Sequence, residues 1–124
     1  MASKILIVDD SATVRQQVRL ALTQVGLEVL EACDGLEGLE LLTQGNGIKV
    51  VVCDVNMPRM NGLEMLEKCA ALPSPRANVL MLTTEGQPAM IQKAKSLGAK
   101  GWIVKPFKAE LLVAAVQKLM QAAA

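Results

Sequence analysis

The 124-residue chain is poor in aromatic side chains: Trp102 and Phe107 are all it has, and tyrosine is missing. A core without rings must be aliphatic and methionine-rich, and apolar residues at 52% of the sequence favour a sheet of Val, Ile and Leu covered by helices. Long runs are missing too. No apolar stretch approaches the roughly eighteen residues of a membrane helix. A net charge of +1 with no block of like charge gives no nucleic-acid footprint. Met1 leads into a short apolar stretch ended by Asp9, without the longer apolar core and cleavage site of a secretory signal, so a cytoplasmic protein is expected. The cysteines Cys33, Cys53 and Cys69 are odd in number and lack the close spacing of metal or redox motifs. They read as buried free thiols in a reducing cytosol. A Gly-rich phosphate loop is also absent: strand one is followed by the acidic Asp9-Asp10-Ser11, which repels phosphate and argues against a flavin or nucleotide carrier.

What is present is a repeating strand-helix pattern in a chain long enough for one domain, residues 1–124. Lys4 to Val8 is nearly all apolar and stops at two aspartates, as a strand buried on both faces does. Ser11 can cap a helix whose apolar positions Val14, Val18, Ala21, Leu22 and Val25 recur at helical spacing until Gly26 ends it. Leu27 to Ala32 reads as a strand, and Gly35 to Thr43 as a helix with Leu36, Leu39 and Leu42 on one face before a Gly45-Asn46-Gly47 turn. Ile48 to Cys53 is the third strand. Leu63, Leu66 and Ala70 mark a third helix, ended before Pro73 and Pro75. Asn78 to Leu82 is a fourth strand; Pro88, Ile91, Ala94 and Leu97 give a fourth helix up to Gly98; Trp102 to Val104 is a fifth strand. Leu111, Leu112, Ala115, Val116 and Leu119 place a last helix from near Ala109, followed by an alanine tail. Strands and helices in alternation imply parallel strands with right-handed crossovers, hence an open doubly wound α/β sheet.

In such a sheet the strand ends share one edge, where these folds bind ligands. Strand one ends in Asp9 and Asp10, strand three in Asp54, strand four in Thr83 and Thr84, and strand five in Lys105; only strand two, ending at Ala32, offers no candidate. Taken singly, each has a plainer reading: an aspartate after a strand is a turn residue or helix cap, and Lys-Pro is a turn. Their joint placement is what packing does not explain. Carboxylates drawn together repel one another unless a cation sits among them, and an all-oxygen cluster with room for water and phosphate suits Mg²⁺.

Asp9-Asp10, Asp54 followed by Val-Asn-Met-Pro, Leu82-Thr83-Thr84-Glu85 and Lys105-Pro106-Phe107 together resemble the response-regulator receivers, across essentially the whole chain. The likeness is greatest to stand-alone, chemotaxis-type CheY-like receivers, since no effector domain follows the fifth helix. It implies a five-stranded parallel sheet of order 2-1-3-4-5 with five helices, and a two-component signalling role. Asp54 would attack the phosphorus of a phosphohistidine on a partner histidine kinase. The chain has no histidine and so cannot supply that group itself. The resemblance further implies that Asp10, Asp54 and the Asn56 backbone carbonyl ligate Mg²⁺, with Asp9 acting through water, and that Lys105 and Thr83 hold phosphoryl oxygens. It implies a cis Lys105-Pro106 bond, and a switch in which Thr83 moves toward the phosphoryl group and Trp102 enters the space it leaves; Thr84 would restrict access to Asp54.

The protein is thus expected to be a phosphoacceptor that promotes its own phosphorylation and dephosphorylation, monomeric, and without nucleic-acid or membrane partners. A hydrolase working through an aspartyl intermediate would usually carry a second aspartate two residues after the nucleophile, where this chain has Asn56. From Gly86 onward six lysines stand against the single acid Glu110. An acidic or amphipathic output target is therefore expected on the surface of helix four, strand five and helix five. The alternative is a phosphate sink or relay receiver without an output target of its own.

Overall fold

The structure is a computed structural model that describes residues 4–44, 47–72 and 77–122. Its elements run β1 (Lys4–Val8), α1 (Ala12–Thr23), β2 (Glu28–Ala32), α2 (Gly35–Thr43), β3 (Ile48–Cys53), α3 (Gly62–Ala70), β4 (Asn78–Thr83), α4 (Pro88–Ser96), β5 (Gly101–Val104) and α5 (Ala109–Ala122). The strands form one parallel sheet in the order β2-β1-β3-β4-β5. The doubly wound architecture and the strand order agree with the expectation from sequence.

Successive side chains along each strand divide the core in two, because a strand points them to opposite faces. Ile5, Ile7, Val50, Val52, Leu80 and Leu82 pack with Val18 and Leu22 of α1 and Leu112 and Val116 of α5. Leu6, Val8, Val51, Cys53 and Met81 pack on the other face with Met65, Leu66 and Cys69 of α3 and Ala94 of α4. Every central strand is covered twice, which is why β1 and β3 are nearly continuous apolar runs.

Caps set the helix starts. The Ser11 hydroxyl accepts from Val14 N at 3.3 Å, as its sequence position suggested, and Asp34 and Asn61 cap α2 and α3 in the same manner. Gly26, past the end of α1, has φ +83°, a left-handed turn natural to glycine. The Lys105-Pro106 peptide is cis.

Several expectations need correction. Val25, Leu36 and Leu111 are exposed, Leu111 at 61%, while its neighbour Leu112 is fully buried. Adjacent helical residues point about 100° apart, so only one of that pair can face the sheet. Cys33 is exposed and not a buried thiol, because it lies past the end of β2; Cys53 and Cys69 are buried as expected. Leu27 precedes β2, β4 runs on through Thr83, and β5 begins at Gly101. The turn residues Gly45 and Asn46, the prolines Pro73 and Pro75, and the last two residues of the alanine tail lie outside the described residues.

Candidate functional site

The chain leaves β1 toward β2 on one side and enters β3 on the other, so the ends of β1 and β3 open a crevice between them. Asp9 and Asp54 sit on the last rungs of the ladder there: Asp9 N donates to Ala32 O at 3.1 Å and Asp54 N donates to Val8 O at 3.0 Å. Backbone pairing therefore fixes where both carboxylates begin. Asp9 is 2% exposed and Asp54 7% exposed, whereas Asp10 faces solvent.

Carboxylate oxygens of Asp9, Asp10 and Asp54 all lie within 4.8 Å of one another. Lys105 reaches in from the end of β5, its Nζ donating to Asp9 Oδ2 at 2.8 Å and to Asp54 Oδ2 at 3.2 Å. Its backbone is placed by Lys105 N donating to Thr83 O at 2.8 Å. The remaining oxygens are also bonded: Asp9 Oδ1 accepts from Ser11 N at 2.9 Å, and Asp54 Oδ1 from Val55 N at 2.7 Å. Burial lowers the Lys105 pKa, but the hydrogen bond and charge of Asp9, with the charge of Asp54, outweigh it and hold it above the ordinary lysine value. The ammonium is therefore charged at neutral pH.

Three carboxyl groups share one ammonium, and two of the three are almost out of water. That is expensive unless a cation completes the balance. The donors are hard oxygens, open to solvent on the Asp10 side, so the residues present fit a small divalent ion such as Mg²⁺. The thiols do not compete for this chemistry. A hydrogen bond to Glu37 raises the Cys33 pKa, burial raises that of Cys53, and burial pushes Cys69 up to about 11.

The structure brings Asp9, Asp10, Asp54 and Lys105 together as the sequence suggested. Thr83 is fully buried at the end of β4, and its hydroxyl accepts from Glu85 N at 3.3 Å. Trp102 is half-buried against the α3–α4 face of the core, and its indole Nε1 donates to Glu85 O at 2.8 Å. Asn56 is exposed, and its Nδ2 donates to Glu85 Oε2 at 3.2 Å. Glu85 thus touches the Thr83 hydroxyl, the Trp102 indole and the Asn56 amide, a role that sequence reasoning missed although Glu85 lay within the motif it singled out. Thr84 is exposed beside Lys105, on the wall of a shallow groove of about 510 Å³. Also missed were the Val55 amide on Asp54 and the Arg15 guanidinium, whose Nη1 donates to Asp9 O at 2.6 Å. Neither has a sequence signal, since one is backbone and the other an ordinary helix-face arginine.

The response regulator receiver domain family matches residues 5–117. A chemotaxis protein CheY homolog of Campylobacter jejuni is 42% identical over 111 residues, covering 88% of this chain and 85% of the relative. Among solved structures, the chemotaxis protein CheY4 of Vibrio cholerae superposes with a TM-score of 0.87 at 39% identity, over 96% of this chain and 99% of that one. The BeF3-activated receiver domain of DrrB does so with a TM-score of 0.84 at 28% identity, over 98% and 99%.

Proposed function

This chain belongs to the response regulator receiver domain family, and from that premise we propose that Asp54 takes a phosphoryl group from a partner histidine kinase in a Mg²⁺-dependent step. The observation that carries the reading is the Lys105 ammonium set between two buried carboxylates with Asp10 beside them. An Asp54 oxygen attacks phosphorus, the P–N bond to the donor imidazole breaks, and the histidine leaves with that electron pair. Asp10, Asp54 and the Asn56 carbonyl would hold Mg²⁺, with Asp9 behind a bound water; the ion supplies positive charge to the phosphoryl oxygens. Lys105 supplies it as well: of its three N–H donors two are spent on Asp9 and Asp54, and the third has no partner among the described residues and can meet a phosphoryl oxygen.

A metal that binds only the folded cluster stabilises it by mass action. At a free Mg²⁺ concentration of about ten times Kd the gain is about 1.4 kcal/mol, or roughly 5 °C in Tm for a domain this size. Differential scanning fluorimetry should show this rise in the native protein and none in Asp10→Ala. A native Tm indifferent to millimolar Mg²⁺ would remove the metal from the mechanism.

The output follows from where Thr83 and Trp102 lie. Met81 pairs with Trp102 and Thr83 with Val104 across β4 and β5, so Thr83 and Trp102 share a sheet face and both bond the backbone of Glu85. A pull on the Thr83 hydroxyl releases the Glu85 amide and, through the same residue, the indole. Trp102 emission therefore changes when beryllofluoride and Mg²⁺ are added. A Thr83→Ala variant that binds the mimic yet gives the native emission change would break this coupling. Lys93, Lys95, Lys100, Lys108 and Lys118 are all exposed on or next to α4, β5 and α5, and this basic stretch suits an acidic or amphipathic protein target. The likeness to chemotaxis relatives makes control of motility the process of choice.

A further inference from the structure

The loop from Asp54 to Gly62 carries Asn56, whose backbone carbonyl the proposed metal site requires, and besides the Asn56 side chain's own bond to Glu85 the structure ties that loop down at two places. One tie lies at its base, where Gly62 N donates to Val55 O at 2.8 Å. The other lies at its far side, against the start of α2. There the Arg59 Nε donates to Asp34 Oδ2 at 2.7 Å, across twenty-five residues of sequence, and Gly35 N donates to Met60 O at 3.2 Å. Asp34 is 2% exposed and bonds on both sides: its other oxygen, Oδ1, accepts from Glu37 N at 2.9 Å and caps α2. The approach is close enough that a Cβ on Gly35 would lie 2.8 Å from the Met60 carbonyl oxygen.

Arg59 holds an unusual backbone. Its φ of +63° is the only left-handed one among the described non-glycine residues, and Met60 N donates to Pro58 O at 2.6 Å around it. A three-residue turn with a positive central φ is rare, and a long side chain there persists only when its surroundings hold it. Glycine would take that backbone without strain. The arginine is nonetheless present, and its Nε bonds a buried carboxylate while the rest of the side chain stays largely exposed.

We propose that Asp34 and Arg59 form a clasp that holds the Asp54–Gly62 loop in the conformation that presents the Asn56 carbonyl to the metal. Arg59 is a positioning residue: it touches neither phosphate nor ion and acts through the path of the backbone between itself and Asn56, three residues earlier. The proposal rests on the Mg²⁺ reading of the Asp9, Asp10 and Asp54 cluster. Groups that orient metal ligands from outside typically change affinity by tenfold or more when lost. Arginine suits the task because its planar fork keeps direction where a lysine would only supply charge.

The test is Mg²⁺ binding to the whole chain by isothermal titration calorimetry, with Tm in EDTA measured alongside. Arg59→Gly removes the clasp while relieving the left-handed backbone, so it separates clasp from strain. Asp34→Asn keeps a good helix cap but discards the charge that Arg59 meets. Each should weaken Mg²⁺ binding on the order of tenfold. The double variant should be no weaker than the worse single one, because both remove one contact. Arg59→Gly should melt in EDTA close to the native protein, which a purely structural ion pair would not allow. Native affinity in Arg59→Gly, losses that multiply in the double variant, or a fall in the EDTA Tm that accounts for the weaker binding would each overturn the clasp. If the native chain itself binds no Mg²⁺, the metal reading fails first and the clasp falls with it; native binding with an indifferent Arg59→Gly sinks the clasp alone.

Discussion

Acetyl phosphate and Mg²⁺ will add one phosphoryl group to the native chain and none to Asp54→Ala, as read by intact mass spectrometry. Asp10 faces water without a lysine contact, and Asp9 is the deepest of the three acids, with one oxygen on Ser11 N and the other on Lys105. Asp54 combines contact with Lys105 with the shallower position of the two acids that the lysine touches. Removing it takes away the proposed nucleophile and leaves the charged frame, so the expected effect is loss of labelling and not a slower rate. Excess EDTA should suppress labelling of the native chain, because an anionic donor must otherwise approach a cluster of like charge. Full labelling of Asp54→Ala, or undiminished labelling in EDTA, would move the acceptor elsewhere.

Gly62→Ala is expected to be the most damaging of the conservative substitutions at the site, although the residue carries no chemistry. A Cβ built there lies 2.0 Å from the carbonyl oxygen of Asp54 and 2.9 Å from the Cα of Val55, both backbone atoms that no rotamer change can clear. The start of α3 must back away from the end of β3, and the Gly62 N to Val55 O bond opens with it. A cost of about 3 kcal/mol is reasonable for overpacking that moves backbone, out of a total stability of about 5 to 15 kcal/mol. Because the displaced carbonyl belongs to Asp54 itself, phosphorylation should slow as well. Gly47 is the control: its φ is +75°, but nothing lies within 4 Å of its Cβ position. Alanine there costs only backbone conformation, about 1 kcal/mol. Urea unfolding midpoints would settle the comparison, and a Gly62→Ala loss no larger than that at Gly47 would contradict the packing described here.

How much could be read beforehand depended on whether a residue's surroundings were set by the period of its own element. The stretches KILIV and IKVVVC announce buried strands because both faces are covered, and the polar residues that end them mark the binding edge. The acids and the lysine of the site were therefore legible before any coordinates. Leu111 was not, because it and Leu112 fit the same broad apolar stripe and only the position of the sheet distinguishes them. Cys33 followed the same logic: its type suggested burial, and its place just beyond β2 exposed it.

Alone, then, the sequence determined the order of strands and helices, the parallel sheet and the set of residues at its edge. Each of these follows from local periodicity and from the rule that all strands of a doubly wound sheet point one way. The tertiary structure decided the pairings between loops: Arg59 on Asp34, Asn56 on Glu85, and Glu85 between Thr83 and Trp102. A loop has no period, so its side chains find partners by the route the backbone takes across the surface. That route is set by neighbours as far away in sequence as the twenty-nine residues that separate Asn56 from Glu85.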